Sequence, residues 1–347
     1  MSYANLLART RALRRLVEGS ARKDPFPQSI DLNLTTRCNG RCNHCSFWRI
    51  PGKDLPTALA LDLFDSLAGH LSPGTKVNIL GGEPTLHPDL PILLRRCEEL
   101  GFQAVLTTNG RLLADPDLAA VLLRSPPSMV VVSLDGLETV NDRLRGPGSF
   151  RLALAALTNL FRLAPSTTRV VQALVAGPTH PYLDELATLL ERDALAQALT
   201  LQVLCPDFAL PHVRGWWRSH PLWPEDPSAV GLSLDRLAAS RKDRLPVLAL
   251  SSGQLIAWKK YFLDPEGFER LGPGCGLAGQ HLDCGPDGGL RLCPHHPSIG
   301  RLGEAPLHEM LTNPRAETVR RAMASCDVVC NFLVNCRYEL LHHRKSS

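Results

Sequence analysis

Between residues 29 and 205 a short apolar or β-branched run, a turn, and a longer segment of helical spacing follow one another repeatedly. This alternation is the signature of parallel βα units, because two parallel strands can be joined only by a crossover long enough to hold a helix. The spacing predicts strands near Ser29–Leu34, Lys76–Leu80, Gln103–Thr107, Met129–Leu134, Thr168–Val175 and Thr200–Leu204. Helices are predicted near Ala58–Leu71, Asp89–Leu100, Asp117–Leu123, Phe150–Leu163 and Tyr182–Arg192. Six such units are too few to close an eight-stranded barrel, and right-handed crossovers place every helix on the outer face. The expected fold is therefore α/β, a partial (βα)6 TIM-like barrel whose site lies at the C-terminal ends of the strands.

Four segments follow from this rhythm and its interruptions. Residues 1–27 read as an N-terminal surface helix with Leu6, Leu13, Leu16 and Val17 packed inward, and residues 28–205 as the barrel. Residues 206–268, crowded with Pro206, Pro211, Pro221, Pro224 and Pro227 around Trp216, Trp217 and Trp223, read as a connection. Residues 269–347 turn rich in Gly and Cys and read as a small metal-stapled domain. With 38 basic against 34 acidic residues the net charge is +4, which favours neither a nucleic-acid nor a membrane partner. No run approaches the ~18 apolar residues of a spanning helix, so a cytoplasmic location is expected. In that reducing compartment eleven cysteines are better read as metal ligands than as disulfides.

The first predicted strand runs into Cys38-Asn39-Gly40-Arg41-Cys42-Asn43-His44-Cys45, a Cys-x3-Cys-x2-Cys array in a loop at the strand's C-terminal end. Three thiolates hold three irons of a 4Fe-4S cluster and leave the fourth iron open to a chelating cofactor. S-adenosylmethionine offers an amino group and a carboxylate for that purpose. Zinc held by the three cysteines and His44 is the alternative.

The next strands carry polar residues to the same edge. Strand two enters Gly81-Gly82-Glu83-Pro84, where adjacent glycines let a backbone approach a ligand and a carboxylate can accept from an ammonium group. Strand three ends in Thr107-Thr108-Asn109-Gly110, and strand four in Ser133-Leu134-Asp135-Gly136 with Asn141, Asp142 and Arg145 beyond. Each motif alone is a common turn. Together they resemble the radical S-adenosylmethionine (radical SAM) superfamily, and in particular members carrying a C-terminal SPASM or twitch domain.

The resemblance covers residues 29–205 well and 272–340 more loosely. It implies that Cys38, Cys42 and Cys45 bind the catalytic 4Fe-4S cluster and that Gly81, Gly82 and Glu83 bind the methionyl ammonium of S-adenosylmethionine. Asn109 belongs to the same rim, and Ser133 and Arg145 take the carboxylate and ribose region. The residue before the third cysteine, near the adenine in the family, is His44 here in place of a larger aromatic. Further on, Cys275 and Cys293, with Gly288 between them, resemble the opening hairpin of the auxiliary domain, and Cys326, Cys330 and Cys336 its later part. A single auxiliary 4Fe-4S cluster on Cys275, Cys293, Cys330 and Cys336 is expected, with Cys326 as the competing fourth ligand and Cys284 an extra thiol. Two clusters of three cysteines each, or a structural zinc ribbon, are the alternatives.

Cys97, on a helix between Arg96 and Glu98, reads as a structural thiol, whereas Cys205 ends strand six on the cofactor's rim. The resemblance implies reductive cleavage of S-adenosylmethionine to a 5′-deoxyadenosyl radical that abstracts hydrogen from substrate, fed by an external one-electron reductant such as flavodoxin or ferredoxin. A two-electron oxidation is the expected outcome, with epimerisation through hydrogen return from Cys205 as the alternative. Fewer than 30 residues precede strand one, too few for a peptide-recognition domain, so a small metabolite such as a sugar or aminocyclitol is expected ahead of a peptide. A zinc-stabilised binding module without catalysis is the reading from another class.

Overall fold

The computed structural model describes residues 26–71, 74–207, 210, 213–240, 252–266 and 281–326. The expected N-terminal helix lies outside these residues, as do Cys275, Cys330 and Cys336.

Six parallel strands stand in the order of the chain: β1 (Ser29–Asn33), β2 (Lys76–Leu80), β3 (Gln103–Thr108), β4 (Met129–Ser133), β5 (Thr168–Val175) and β6 (Ala198–Val203). The crossovers between them carry α1 (Thr57–Ala68), α2 (Leu90–Glu99), α3 (Pro116–Leu122), α4 (Glu138–Arg145), α5 (Ser149–Leu163) and α6 (Leu183–Arg192). Side chains alternate across each strand. On β1 and β2, Ile30, Leu32, Val77 and Ile79 are fully buried in the main core with Leu63, Phe64 and Leu93 of the helices. Each such aliphatic side chain contributes roughly 1.5–3 kcal/mol by burial. The opposite face of the sheet carries Val105, Val131 and Val170, packed together in a separate small cluster.

The sheet does not stop at β1. A seventh strand, β7 (His281–Cys284), pairs in parallel with the free edge of β1, Asp31 opposite Asp283 and Leu32 opposite Cys284. Then β8 (Gly289–Arg291) and β9 (Gly300–Arg301) follow antiparallel, giving nine strands in one sheet. Residues 281–301, expected in a small separate domain, thus cover an edge that would otherwise leave β1 with unpaired backbone groups. After them come α9 (Leu307–Thr312) and α10 (Pro314–Ala324).

The expected connection also holds regular structure, namely α7 (Pro227–Ser240) and α8 (Ser252–Leu263), which pack on one another. Pro227 is the first residue of α7, where a missing N–H costs nothing, so it starts a helix instead of breaking one. Trp216, Trp217 and Trp223 pack on each other, and Trp223 meets Phe262 at 5.1 Å and Tyr261 at 5.5 Å between ring centroids. The three tryptophans therefore anchor this segment, and the Tyr261 hydroxyl donates to the Leu204 carbonyl at 2.8 Å, just past β6. The helix α4 escaped the sequence reading because, of its eight residues, only Asn141 and Leu144 are buried, which leaves no apolar stripe to detect.

Candidate active site

The loop leaving β1 is held on both sides before it reaches its cysteines. Thr35 donates to Asp54 at 2.6 Å, and the Arg37 guanidinium spans Asp54 (2.9 and 2.6 Å) and the Leu86 carbonyl (2.7 Å). On the β2 side, the Gly82 N–H donates to the Thr35 carbonyl at 2.7 Å and the Glu83 N–H to the Arg37 carbonyl at 2.8 Å. The two glycines are required by this contact. A Cβ on Gly81 would lie 2.5 Å from the Thr35 oxygen, and one on Gly82 would lie 2.4 Å from the Arg37 oxygen. Gly81 also has φ +132°, a conformation open chiefly to glycine. The approach that demands glycine is thus that of the cysteine loop's own backbone.

Cys38, Cys42 and Cys45 are all half-buried on this loop. A Cβ on Gly40, between the first two, would sit 3.5 Å from the Cys38 sulfur and 3.6 Å from the Cys42 sulfur. The Gly40 N–H points to Cys38 Sγ at 3.3 Å, and Arg145 Nη1 lies 3.9 Å from Cys42 Sγ. Across the loop, Asn43 bonds to the Leu144 and Arg143 carbonyls of α4, each at 2.9 Å. Burial raises the Cys38 and Cys42 thiols and pushes Cys45 up to about 11, so they stay protonated until a metal displaces their protons. Burial and the neighbouring Arg145 bring His44 down to about 4, and its buried Nδ1 has no hydrogen-bond partner. Among the described residues no three His, Cys, Asp or Glu side chains converge as a single metal ion requires. Three sulfurs on one glycine-cradled loop with N–H donors directed at them suit an iron-sulfur cluster better than a mononuclear zinc cage.

Glu83 is fully buried beneath the loop. Its Oε1 accepts from the Thr85 N–H (3.2 Å), the Thr85 hydroxyl (2.6 Å) and the Thr108 hydroxyl (2.7 Å), and its Oε2 from the Asn109 N–H (2.7 Å). Burial raises this carboxyl against the pull of those donors. Asn109 in turn donates to Asn39 at 2.8 Å, so the ends of β2 and β3 are tied to the cysteine loop. Ser133 closes β4 half-buried. Arg145 pairs with Asp135 at 2.7 and 3.2 Å, and Asp135 accepts also from the Leu174 N–H at 2.9 Å. Burial alone would raise Asp135, but Arg145 beside it holds the carboxyl below the usual carboxylate range. The structure brings Gly81, Gly82, Glu83, Asn109 and Arg145 together around Cys38–Cys45, and adds Asp135 as the partner that aims Arg145.

The inner face of the sheet carries a second polar group that the sequence reading missed. Asn78 donates to Asp31 and Asn33 to Asp283, each at 2.7 Å, while His281 lies 3.7 Å from Asp31 and Arg291 3.6 Å from Asp283. Burial and the nearby Asp31 bring Asp283 up to about 6. Asp31, Asn33 and Asn78 interrupt apolar strands at alternate positions, and that pattern was the available signal.

Cys205 lies just past β6, with Gln202 Nε2 3.9 Å from its sulfur, and burial pushes its thiol up to about 12. Cys97 is fully buried in the core. Cys284 is equally buried, on the helix-facing side of β7 with Leu32 and Leu282, so it packs as an apolar residue. Of the expected auxiliary ligands, Cys293 and Cys326 are half-buried, and Cys293 Sγ accepts from the His295 N–H at 3.4 Å. Among the described residues no helix is long and apolar enough to cross a membrane.

Residues 32–191 match the family described as the Radical SAM superfamily. The chain is 41% identical over 144 residues to Fe-coproporphyrin III synthase of Methanosarcina barkeri, covering 40% of this chain and 34% of that protein. It is 35% identical over 187 residues to mycofactocin maturase MftC of Mycobacterium ulcerans, covering 53% and 49%. It therefore spans a third to a half of the length of these curated relatives. Among solved structures, anSMEcpe with bound AdoMet and the Cp18Cys peptide superposes with a TM-score of 0.65 at 15% identity, covering 89% of this chain and 87% of that one. This likeness establishes the α/β partial-barrel fold. With its cysteine loop, its GGEP turn and the family match, the segment of residues 32–191 is a Radical SAM superfamily domain.

Proposed function

We propose that this chain cleaves S-adenosylmethionine reductively and uses the resulting radical to abstract hydrogen from a peptide. The observation that carries the reading is the loop of Cys38, Cys42 and Cys45 closed around Gly40 and tied to Glu83, Asn109 and Arg145. Cys38, Cys42 and Cys45 would hold a 4Fe-4S cluster there, which would supply the one electron that cleaves S-adenosylmethionine. This chain's residues do the rest. Gly81 and Gly82 offer backbone groups at the rim, and Glu83, its carboxylate already occupied, fixes that rim in place. Ser133 and Arg145 face the carboxylate and ribose of the cofactor, with Asp135 setting the guanidinium's direction. His44 stands where the adenine is expected, neutral at physiological pH.

The peptide reading follows from the maturase relative and from the peptide bound to anSMEcpe. The expectation of a sugar or aminocyclitol finds no support in these comparisons. Cys275, Cys293, Cys330 and Cys336, with Cys326 as the competing fourth ligand, would hold an auxiliary 4Fe-4S cluster, which would supply an acceptor for the second electron of a two-electron oxidation. Cys205 is the alternative hydrogen donor that would give epimerisation, and unchanged turnover by Cys205→Ser disposes of that route.

The test is anaerobic reconstitution with iron and sulfide, followed by dithionite and S-adenosylmethionine. The parent chain is expected to form 5′-deoxyadenosine and methionine, and Cys42→Ala neither. A parent that holds four irons on this loop yet releases no 5′-deoxyadenosine refutes the reading. Deuterium transfer into 5′-deoxyadenosine from deuterated peptides, compared with deuterated coproporphyrin, decides the substrate class.

A further inference from the structure

By covering the edge of β1, the strand β7 also sets a second carboxylate beside the first. Ile30 and Leu32 of β1 and Leu282 and Cys284 of β7 turn to the helix-side core, so the alternate residues Asp31, Asn33, His281 and Asp283 turn to the inner face of the sheet. There Asp31 stands opposite Asp283 in register. Each carboxylate has one oxygen taken by an amide, Oδ1 of Asp31 by Asn78 and Oδ1 of Asp283 by Asn33. The second oxygens are held less closely: Asp31 Oδ2 lies 3.7 Å from His281 Nε2 and Asp283 Oδ2 lies 3.6 Å from Arg291 Nη1. Burial lowers the His281 imidazole into its neutral form, which leaves Arg291 on β8 as the cation beside two carboxylates among the described residues. Across the barrel, the inner positions of β3 to β6 carry no charged residue. They present the valine cluster and, on β5 and β6, Thr200 and the hydrogen-bonded amides of Gln172 and Gln202. Asp31, Asn33, Asn78, Gln172 and Gln202 are all half-buried, so this polar wall is not sealed into a core. Burial, with Asp31 beside it, brings Asp283 up to about 6, so the pair costs the folded state stability that a bound cation would restore.

We propose that Asp31 and Asp283 select the peptide by holding a cationic side chain, a lysine ammonium or an arginine guanidinium, on the inner face of the barrel. This deepens the peptide reading above and rests on it. The two acids are specificity-determining residues of the site already described, since Asn33, which ties Asp283, closes the strand that runs into the cysteine loop. A cation reaching them gains charge-assisted hydrogen bonds from two carboxylates and meets a neutral wall on the opposite strands. A carboxylate, such as a propionate of a tetrapyrrole, meets like charge at the same place and is rejected. Electrostatics alone therefore divides the two classes of substrate.

The experiment measures binding of four probes to the reconstituted full chain with S-adenosylmethionine by calorimetry, without reductant and at pH 8, where both carboxylates are ionised. The probes are the Nα-acetyl methylamides of lysine, arginine, norleucine and glutamate. A cationic probe should bind about tenfold or more tightly than the norleucine probe, with glutamate the weakest. Asp31→Asn with Asp283→Asn keeps an oxygen for each amide partner and should bring the cationic and norleucine probes to within about twofold of each other. Each single variant should lose part of the preference, which covers the case of a pair that does not fold. Asp62→Asn, at an exposed position of α1, is the remote control and should keep the parent's order. Equal affinity for cationic and norleucine probes in the parent, a preference for glutamate, or a cation preference that survives both substitutions overturns the assignment. No turnover is needed, so a chain that prefers the cation yet releases no 5′-deoxyadenosine under dithionite upholds this assignment and refutes the radical reading.

Discussion

Replacing Gly82 with alanine tests whether the GGEP turn is built for the cysteine loop itself. The new Cβ would lie 2.4 Å from the Arg37 carbonyl oxygen and 2.8 Å from both the Arg37 carbonyl carbon and the Thr36 carbonyl oxygen. Ordinary contact begins at 3.4 Å, so the loops after β1 and β2 must part by about 1 Å. All three obstacles are backbone atoms, and no side chain can swing aside to admit the methyl. The displacement falls on the bonds from Gly82 N–H to the Thr35 carbonyl (2.7 Å) and from Glu83 N–H to the Arg37 carbonyl (2.8 Å). Losing both costs roughly 1–3 kcal/mol, and residual strain brings the total to about 2–4 kcal/mol. For a chain of this size that is a fall of roughly 3–6 °C in melting temperature. The assay is anaerobic thermal unfolding together with iron counted per chain after reconstitution, where the displaced Cys38 should lower iron retention. Gly69→Ala is the control, because a Cβ there meets nothing within 4 Å and helix propensity favours alanine by up to about 1 kcal/mol. If Gly82→Ala matches Gly69→Ala in both melting temperature and iron, the close-approach argument fails.

Asp135→Asn leaves the Arg145 cation, only 14% exposed, without its carboxylate; a loss of about 3–5 kcal/mol is expected in denaturant titration, and a loss below about 1 kcal/mol would contradict it. Asp283 is brought up to about 6 from its ordinary 3.8, so its ionised form costs the folded state about 3 kcal/mol, fully present above pH 6 and relieved as pH falls toward 4. Asp283→Asn, which keeps an oxygen for Asn33, should therefore melt higher than the parent at pH 8, with the gap narrowing at pH 5; a pH-independent gap refutes this. Cys284→Ala should cost about 1–2 kcal/mol of stability with iron content unchanged, while Cys293→Ala lowers it; iron loss in Cys284→Ala would reverse the two assignments.

The barrel strands were legible because each is a short run rich in apolar or β-branched residues bounded by turn residues, and five of the six begin at the expected residue. Only β6 starts earlier, at Ala198, where a single alanine and leucine carry little β signal. The cysteine loop was equally legible, since its ligands lie within eight residues and their spacing is itself the evidence. Helix α4 was not, because it is held by Asp142 and Asn141 bonding to Gly148 and the first residues of α5 and not by an apolar stripe.

By itself, then, the sequence determined the βα rhythm, the position of the thiol triad at a strand end and the glycines after β2, all of which are encoded locally. Only the tertiary structure decided what depends on residues distant in the chain. The pairing of β1 with β7, which turns Cys284 into the core, joins residues 252 apart. The contacts among Asp31, Asn33, His281 and Asp283 join residues 250 apart, and Arg145 meets Cys42 across 103. Such contacts form only once the whole sheet brings them together, since no local propensity records which free edge a late strand will cover.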